Sequence, residues 1–354
     1  MQFKRYTLAV SIILGALLPA RAAAQTVGFV YGLARPSFSP EPNSLYGVAV
    51  DATGQLIPLA GFPILTGGNG EPSGAEMVFY DIAVGRLYAL NNVSNTVSAW
   101  SVNHTTGALT SLPFSPIALP AGFQGSCLSL DPSGSVLVVG GGSFGNPGVA
   151  SYRIGASTAT PAAGSPFSTG TAAPFSCTFS RDGQFFYTGG RSGSVFAGLS
   201  VDQSTGILTP LAGSPFNSGV IYPVGYQTDS AGRLFAVANG YGASPNRWLV
   251  AFTTSGGIPT AVAGNPFPNP QVEPTHGLLH PAGYYLTTAR MSASPDRARA
   301  PRSPQWPARR FPPGGRQGAP TPRRWSTARA VSSSPRTATH GTSRSSVSIP
   351  PPAH

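Results

Sequence analysis

The chain has 354 residues, of which 44 are glycine, 37 are proline and only 9% are charged. Glycine and proline together reach roughly twice their average share, which disfavours long helices and favours a turn-rich β architecture. The formal net charge is +11, but residues 26–290 contain 8 basic and 10 acidic residues, so the excess lies at the two ends. This excludes a basic nucleic-acid-binding body, and we expect no nucleic-acid partner.

The first 24 residues have the order of a secretory signal peptide. Lys4 and Arg5 precede an apolar run at 6–18, and three alanines at 22–24 provide small residues before a cleavage site. The run is shorter than a membrane-spanning helix requires. The sequence therefore predicts cleavage after Ala24 and export to the periplasm or the extracellular space, with no transmembrane segment left. The alternative is a retained N-terminal anchor.

The body of the chain repeats with a period of about fifty residues. Glycines in turns between apolar stretches recur at intervals of 49, 49, 49 and 51 residues, at Gly85, Gly134, Gly183, Gly232 and Gly283. Prolines before a further apolar stretch recur at intervals of 50, 53, 49 and 51 residues, at Pro63, Pro113, Pro166, Pro215 and Pro266. Two independent markers with one period indicate a repeat architecture.

Each repeat contains enough short strands for one propeller blade. In the unit 125–167, four short apolar runs bounded by turn residues occupy 126–130, 135–139, 148–154 and 161–163. Four antiparallel strands in fifty residues are typical of a blade, so the predicted fold is an all-β propeller.

The residues of these repeats resemble a known family. An Asp-x-x-Gly turn leads into Leu-Tyr-Ala or Leu-Phe-Ala, and Thr-Val-Ser-Ala-Trp follows at 96–100. This pattern, over residues 26 to about 290, is similar to the seven-bladed propellers of the lactonase family, which include 6-phosphogluconolactonase-like proteins and the related Tyr-Val-Thr-Asn repeat propellers. The resemblance implies seven blades and, if the protein is an enzyme, a lactonase, which is a carboxylic ester hydrolase.

The repeat provides about 5.5 of the seven blades. The runs 27–33, 44–50 and 56–59 are predicted to be the second, third and fourth strands of a first blade whose innermost strand is missing. Four complete blades follow to about residue 267, and a sixth begins at 275–280 and 284–288. We predict that an unclosed ring exposes strand edges and apolar faces and is poorly soluble, whereas a complete ring would be a monomer.

Residues 291–354 differ in composition from the body. They contain 11 Arg and one acidic residue, Asp296, and few large apolar side chains. The predicted domains are a signal peptide at 1–24, an incomplete propeller at 25–290 and a disordered basic tail at 291–354. The tail is either a natural basic segment or an out-of-frame translation. The absence of lysine after residue 24 favours the second origin, because shifted GC-rich codons encode Arg, Pro, Ala and Ser.

The candidate catalytic residues lie in the last repeat. Positions seven before and seven after each turn glycine are predicted to share one rim of the channel. In the sixth blade these positions are His276 and Arg290, and Glu273 is nearby. A histidine, an acid and a guanidinium are enough to activate water against a lactone carbonyl and to hold an anionic group. The alternative is that they are solvated residues of the channel rim.

Other residue patterns indicate structural roles. Asp131, Asp182, Asp202 and Asp229 occupy turn positions at which a carboxylate binds the backbone two residues further on. The five histidines have no zinc-ligand spacing, and we expect no metal and no cofactor. Cys127 and Cys177 lie in innermost strands of successive blades with an offset that turns them towards each other, which leaves two alternatives, a disulfide or two buried thiols.

Two functions remain open from the sequence. The first is a secreted binding or scaffold module at the cell envelope, with an unidentified small molecule or envelope ligand at the channel rim. The alternative is a lactone hydrolase related to 6-phosphogluconolactonases. Export argues against a phosphorylated substrate that is made and consumed inside cells, and leaves other lactones open.

Overall fold

The computed structural model describes residues 25–34, 42–70, 77–81, 83–143, 146–170, 172–190, 193–238, 248–269, 274–279 and 285–289. The predicted signal peptide and the predicted tail at 291–354 lie outside the described residues, as do Glu273 and Arg290. All regular secondary structure in the described residues is β-strand, and the strands form six antiparallel sheets. The prediction of an all-β propeller is confirmed.

The first sheet lacks one strand compared with the next four, as predicted. It contains β1 (Thr26–Ala34), β2 (Ser44–Asp51), β3 (Leu56–Pro58) and β4 (Ile64–Leu65). β1 pairs with β2, and β3 and β4 both pair with the other edge of β2. By comparison with the later sheets, β1 occupies the second place in its blade, and the innermost place beside it is not filled by a described strand.

Four complete blades follow, each with four strand places and five strand segments. The second contains β5 (Val78–Asp81), β6 (Arg86–Asn91), β7 (Thr96–Val102), β8 (Leu109–Ser111) and β9 (Ile117–Ala118). The third contains β10 (Cys127–Leu130), β11 (Val136–Ser143), β12 (Asn146–Ile154), β13 (Ala159–Pro161) and β14 (Phe167–Ser168). The fourth contains β15 (Pro174–Phe179), β16 (Phe185–Gly190), β17 (Val195–Val201), β18 (Leu208–Pro210) and β19 (Phe216–Asn217). The fifth contains β20 (Pro223–Thr228), β21 (Arg233–Ala238), β22 (Trp248–Ser255), β23 (Ile258–Ala261) and β24 (Phe267–Pro268).

The sixth sheet is partial. It contains β25 (Pro274–Leu279) and β26 (Tyr285–Ala289), which take the first two places of a blade. The described part of the chain thus has one blade without its innermost strand, four complete blades and the beginning of a sixth, which agrees with the predicted 5.5 blades.

Both repeat markers correspond to defined backbone features. The turn glycines Gly85, Gly134, Gly183 and Gly232 all have φ between +72° and +74°, which strongly favours glycine. The corner prolines follow cis peptide bonds, at Pro63, Pro116, Pro166, Pro215 and Pro266. The predicted marker Pro113 is therefore wrong. Pro116 takes that place, and Pro113 and Phe114 are the central residues of the turn before it, where the later corners have a glycine.

The core lies in the junctions between successive blades. One apolar cluster joins the first and second blades through Tyr31, Leu45 and Trp100, and corresponding clusters fill the next three junctions. Tyrosine hydroxyls add hydrogen bonds across three of these junctions. Tyr31 donates to the carbonyl of Gly107, Tyr152 to that of Ala118 and Tyr187 to that of Gly257, each at 2.8 Å.

Candidate functional site

The two ends of the channel differ in the elements that form them. We call the end at which the innermost strands β10, β15, β20 and β25 begin the mouth rim. The opposite end carries the turns around Gly85, Gly134, Gly183 and Gly232, and we call it the turn rim. Because neighbouring strands within each blade are antiparallel, the second strand of a blade ends at the mouth rim and the third strand ends at the turn rim.

Of the three predicted catalytic residues, His276 is within the described part of the chain, and its backbone lies at the mouth rim of the sixth blade. Pro274 pairs with Ala289, and His276 pairs with Thr288, at the start of β25 and the end of β26. Glu273 precedes Pro274 in the sequence and Arg290 follows Ala289, and both lie outside the described residues. The structure thus locates the backbone of His276, and the convergence of the three side chains stays a prediction.

The backbone register gives His276 a counterpart in the fourth blade. Pro174 pairs with Gly190 and Ser176 with Gly189, with the same register shift between them as between Pro274 and His276. The Ser176 side chain is fully buried, and its Oγ accepts hydrogen bonds from the backbone N–H groups of Gly225 (2.8 Å) and Tyr226 (3.2 Å). At this place in the fourth blade the side chain therefore faces the fifth blade.

The positions seven before the turn glycine are buried in the third and fourth blades. Cys127 and Ser176 occupy these positions, and both lie in blade junctions. The second strand of the second blade ends at Asn91. Asn91 pairs with Thr96, which corresponds to the later pair of Gly141 and Gly148.

Neutral hydrogen bonds hold the mouth rim between the first and second blades. The Asn91 side chain is fully buried, and its Oδ1 accepts from Asn43 Nδ2 (2.9 Å) and Thr66 Oγ1 (2.7 Å). Its Nδ2 donates to Ser98 Oγ at 2.9 Å. Asn91 thereby fixes the orientation of Asn43, whose Oδ1 is buried without a hydrogen-bond partner. Further round the rim, Ser126 Oγ donates to the carbonyl of Pro174 at 2.6 Å.

Charge is segregated to the opposite end. Every acidic or basic side chain that the structure describes lies at the turn rim, namely Asp51, Asp81, Arg86, Asp131, Arg153, Arg181, Asp182, Asp202, Asp229 and Arg233. The described residues of the mouth rim supply hydroxyl, amide and backbone groups but no charged side chain. General acid–base chemistry at this rim therefore depends on His276 and on residues outside the described ranges.

Turn-rim carboxylates have the predicted structural role. Asp131, Asp182, Asp202 and Asp229 each accept a hydrogen bond from the backbone N–H two residues further on. Side-chain hydrogen bonds from Ser204 and then Thr205 lower the pKa of Asp202 to about 2. Arg233 Nε also lies 2.6 Å from Asp229 Oδ2. These bonds stabilise the turns that end the innermost and third strands.

Asp81 differs from the other turn-rim carboxylates. Its side chain is 6% exposed, and Oδ2 is buried without a hydrogen-bond partner. Burial raises the pKa of Asp81, although the backbone N–H groups of Val84 and Ala83 oppose the shift. Near it, Tyr80 Oη lies 3.3 Å from Nδ1 of His104. The sequence did not indicate this tyrosine–histidine pair, because the two residues are 24 positions apart, with Tyr80 in β5 and His104 in the turn after β7.

A shallow groove lies at the mouth rim between the second and third blades. Its volume is about 160 Å³, and its lining includes Pro120, Phe123, Pro147, Pro166 and Phe167. The groove carries no charged side chain. Its composition suits apolar contact and does not provide a nucleophile or a base.

The two cysteines are buried thiols in one apolar cluster between the third and fourth blades. Neither is in a disulfide. Cys127 Sγ lies 4.0 Å from Thr188 Oγ1, and Thr188 is the backbone partner of Cys177. Of the two alternatives, the structure therefore contains the buried thiols.

Comparison with known proteins places this architecture in context. Residues 76–221 match the family model "Lactonase, 7-bladed beta-propeller". The predicted resemblance to the lactonase propellers is thus confirmed over the second to fourth blades. A search among curated proteins finds no match.

Solved structures have the same fold at low sequence identity. A Lactobacillus plantarum protein aligns with a TM-score of 0.59 and 19% identity, covering 76% of this chain and 77% of that chain. The periplasmic gluconolactonase of Pseudomonas aeruginosa aligns with a TM-score of 0.55 and 15% identity, covering 73% and 74%. A candidate 6-phosphogluconolactonase from Bacteroides fragilis aligns with a TM-score of 0.53 and 15% identity, covering 74% of each chain. Among the described residues, no helix is long and apolar enough to cross a membrane.

Proposed function

We propose that the protein is a lactone hydrolase with its reaction site at the mouth rim of the sixth blade. The observation that carries the proposal is the match to the lactonase family model over three blades, together with the gluconolactonase among the structural neighbours. The backbone register supports the location, because it puts His276 at the start of β25, at the mouth rim.

The proposed chemistry assigns one task to each residue. The His276 imidazole accepts a proton from water as the water oxygen attacks the lactone carbonyl carbon. Arg290 stabilises the negative charge that develops on the carbonyl oxygen or holds an anionic group of the substrate. Glu273 orients the imidazole and stabilises its protonated form. When the tetrahedral intermediate collapses, the ring C–O bond breaks, the ring oxygen takes the proton from His276, and the hydroxy acid leaves.

A binding or scaffold module is the second candidate. The observation that favours it is the absence of charged side chains from the described mouth rim. Hydroxyl, amide and backbone groups bind a neutral polyhydroxylated ligand without converting it. A binding module and an enzyme of this fold would use the same rim, so turnover distinguishes them.

We also propose that the protein acts outside the cytoplasm. The N-terminal sequence has the order of a signal peptide, and one structural neighbour is described as a periplasmic gluconolactonase. A neutral sugar lactone suits that location better than a phosphorylated intracellular one.

The test is a panel of lactones measured by acid release in a pH-stat. The panel contains a neutral aldonolactone, its phosphorylated form and an acyl-homoserine lactone. The full chain and a chain with the reading frame shifted after residue 290 are both assayed. We expect turnover of the neutral aldonolactone above buffer, and Arg290→Ala to reduce it. If neither chain hydrolyses any lactone above the buffer rate, the hydrolase proposal is wrong and the binding module replaces it.

A further inference from the structure

The segment that enters the fifth blade at the mouth rim contains a residue in an unfavourable backbone conformation. Tyr222 has a φ of 52°, and Asn95 is the one other described residue besides glycine with a positive φ. Bulky side chains rarely adopt this region. Tyr222 also precedes Pro223, and the residue before a proline prefers an extended conformation. The backbone at Tyr222 is therefore strained for two separate reasons.

Contacts on the preceding residues hold Tyr222 in this conformation. Its own backbone N–H donates to the carbonyl of Gly193 in the fourth blade at 2.8 Å. The backbone N–H of the buried Ser218 donates to the carbonyl of Ser194 in the same hairpin at 2.7 Å. Val220 is buried in the apolar cluster between the fourth and fifth blades. The strain persists because the surrounding structure fixes the segment at these three points.

Core packing does not account for the strain. Tyr187 and Tyr226 are fully buried in the same junction, whereas Tyr222 is partly exposed and is not a member of the apolar cluster there. Described blades lie on both sides of it, namely the fourth, which binds its N–H, and the sixth, whose β25 contacts β20. Its exposure is therefore a property of the mouth rim. Strained residues that packing does not require are concentrated in ligand-binding sites.

The spacing of prolines relates Tyr222 to the proposed reaction site. In three successive blades, eight positions lead from the corner proline to the first residue of the innermost strand, as in Pro166 to Pro174, Pro215 to Pro223 and Pro266 to Pro274. Tyr222 therefore takes the place in the fifth blade that Glu273 takes in the sixth. Packed sheets lie about 10 Å apart, so a ligand held by His276 at the start of β25 is within reach of a tyrosine before β20.

The chemistry of the rim indicates what Tyr222 binds. A phenol ring has apolar faces and a polar hydroxyl end, so it packs against C–H groups and also forms a hydrogen bond. Ile221, which is 41% exposed, adds apolar surface beside it. The described mouth rim carries no charged side chain, which favours an uncharged ligand. A neutral sugar lactone offers both kinds of contact, with C–H groups on its ring face and hydroxyls at its edge.

We propose that Tyr222 is a ligand-binding residue whose phenol ring packs on the ring face of a neutral sugar lactone and positions the lactone carbonyl near His276. The ligand class rests on the proposed hydrolase function, whereas the strained backbone is a separate observation. The proposal has a consequence that a purely structural role lacks. A glycine at this position relieves the strain and removes the ring, so it should stabilise the fold and weaken the binding.

The experiment measures stability and binding on the same variants of the full chain. Tyr222→Gly is compared with Tyr222→Phe, which keeps the ring without its hydroxyl. Asn95→Gly is the matched control, because Asn95 also has a positive φ and lies at the mouth rim between β6 and β7. Urea unfolding reports stability. Titration calorimetry with gluconolactam, a neutral ring analogue whose amide resists hydrolysis, reports binding, and the lactone assay reports kcat and KM separately.

We expect Tyr222→Gly to raise the urea midpoint, to raise the dissociation constant for gluconolactam about tenfold or more, and to raise KM while kcat stays within about threefold. Tyr222→Phe should weaken binding less, and Asn95→Gly should leave it within about twofold of the parent. If Tyr222→Gly weakens gluconolactam binding in a chain that hydrolyses no lactone, the hydrolase proposal is wrong and the role of Tyr222 stands.

Three results would overturn the inference. The first is gluconolactam binding that Tyr222→Gly leaves unchanged, even in a chain that hydrolyses lactones. The second is a parent chain that does not bind gluconolactam. The third is a urea midpoint that Tyr222→Gly lowers, because Tyr222 would then have a structural role.

Discussion

Three tyrosines take the same place in their blades but differ in their hydrogen bonds. Tyr31, Tyr88 and Tyr187 pair with Gly47, Ala99 and Gly198 in the adjacent strand. Tyr31 and Tyr187 donate to carbonyls of glycines at positive φ in turns of the next blade, whereas the Tyr88 hydroxyl is buried without a partner. The corresponding turn of the third blade, at 155–158, has no residue at positive φ.

The same substitution should therefore have opposite effects at two of these sites. Tyr187→Phe leaves the Gly257 carbonyl in a blade junction without its donor, and we expect a loss of about 1–3 kcal/mol in the free energy of unfolding. Tyr88→Phe removes a buried hydroxyl that has no partner, so the change should be neutral or should stabilise by up to about 1 kcal/mol. Both changes keep the aromatic ring and its apolar contacts.

Urea unfolding followed by tryptophan fluorescence measures this difference. Tyr31→Phe serves as a second member of the hydrogen-bonded class and should behave like Tyr187→Phe. Unchanged m values would show that the same surface is exposed on unfolding in each variant. If Tyr88→Phe is as destabilising as Tyr187→Phe, the hydrogen bonds to the turn glycines do not contribute to blade packing, and the account of the junctions is wrong.

Three further predictions follow from the described residues. Burial raises the pKa of Tyr152 and Tyr187 to about 12. Their contribution to the stability of the folded protein is therefore complete below about pH 10 and is lost as pH rises towards 12. Absorbance titration should show that these tyrosines ionise at higher pH in the folded protein than in urea. Gly141→Ala should destabilise by about 1–3 kcal/mol, because the new Cβ would collide with the Gln124 carbonyl, whereas Gly28→Ala should cost far less in the same urea assay. Thiol titration of the denatured, unreduced protein should find two thiols, from Cys127 and Cys177, and a count of zero would indicate a disulfide.

The blade architecture was predictable because the turn glycines are required by backbone geometry. Gly85, Gly134, Gly183 and Gly232 adopt one positive φ value, so selection for that conformation leaves a regular spacing in the sequence. The error at Pro113 arose because residues were counted from sequence alone, and the corner before Pro116 has different turn residues. Spacing cannot distinguish two prolines three positions apart when both precede an apolar residue.

The mouth rim was harder to predict because hydrogen bonds between blades decide which side chains are buried. Ser176 is buried because its hydroxyl oxygen accepts hydrogen bonds from two backbone N–H groups of the next blade, and the sequence does not indicate those bonds. The segregation of charge corresponds to a pattern in the sequence. The Asp-x-x-Gly turns at 131–134 and 229–232 follow innermost strands and the one at 51–54 follows a third strand, and antiparallel topology puts both kinds of strand end at the turn rim.

The measurement that tests the proposed site most directly compares two histidine substitutions in the lactone assay. His276 lies at the mouth rim in β25, and His104 lies at the turn rim beside Tyr80. We predict that His276→Ala lowers the rate of lactone hydrolysis about 100-fold or more, whereas His104→Ala leaves it within about twofold of the parent. Equal rates for the parent and His276→Ala, or a loss confined to His104→Ala, would contradict a reaction site at the mouth rim.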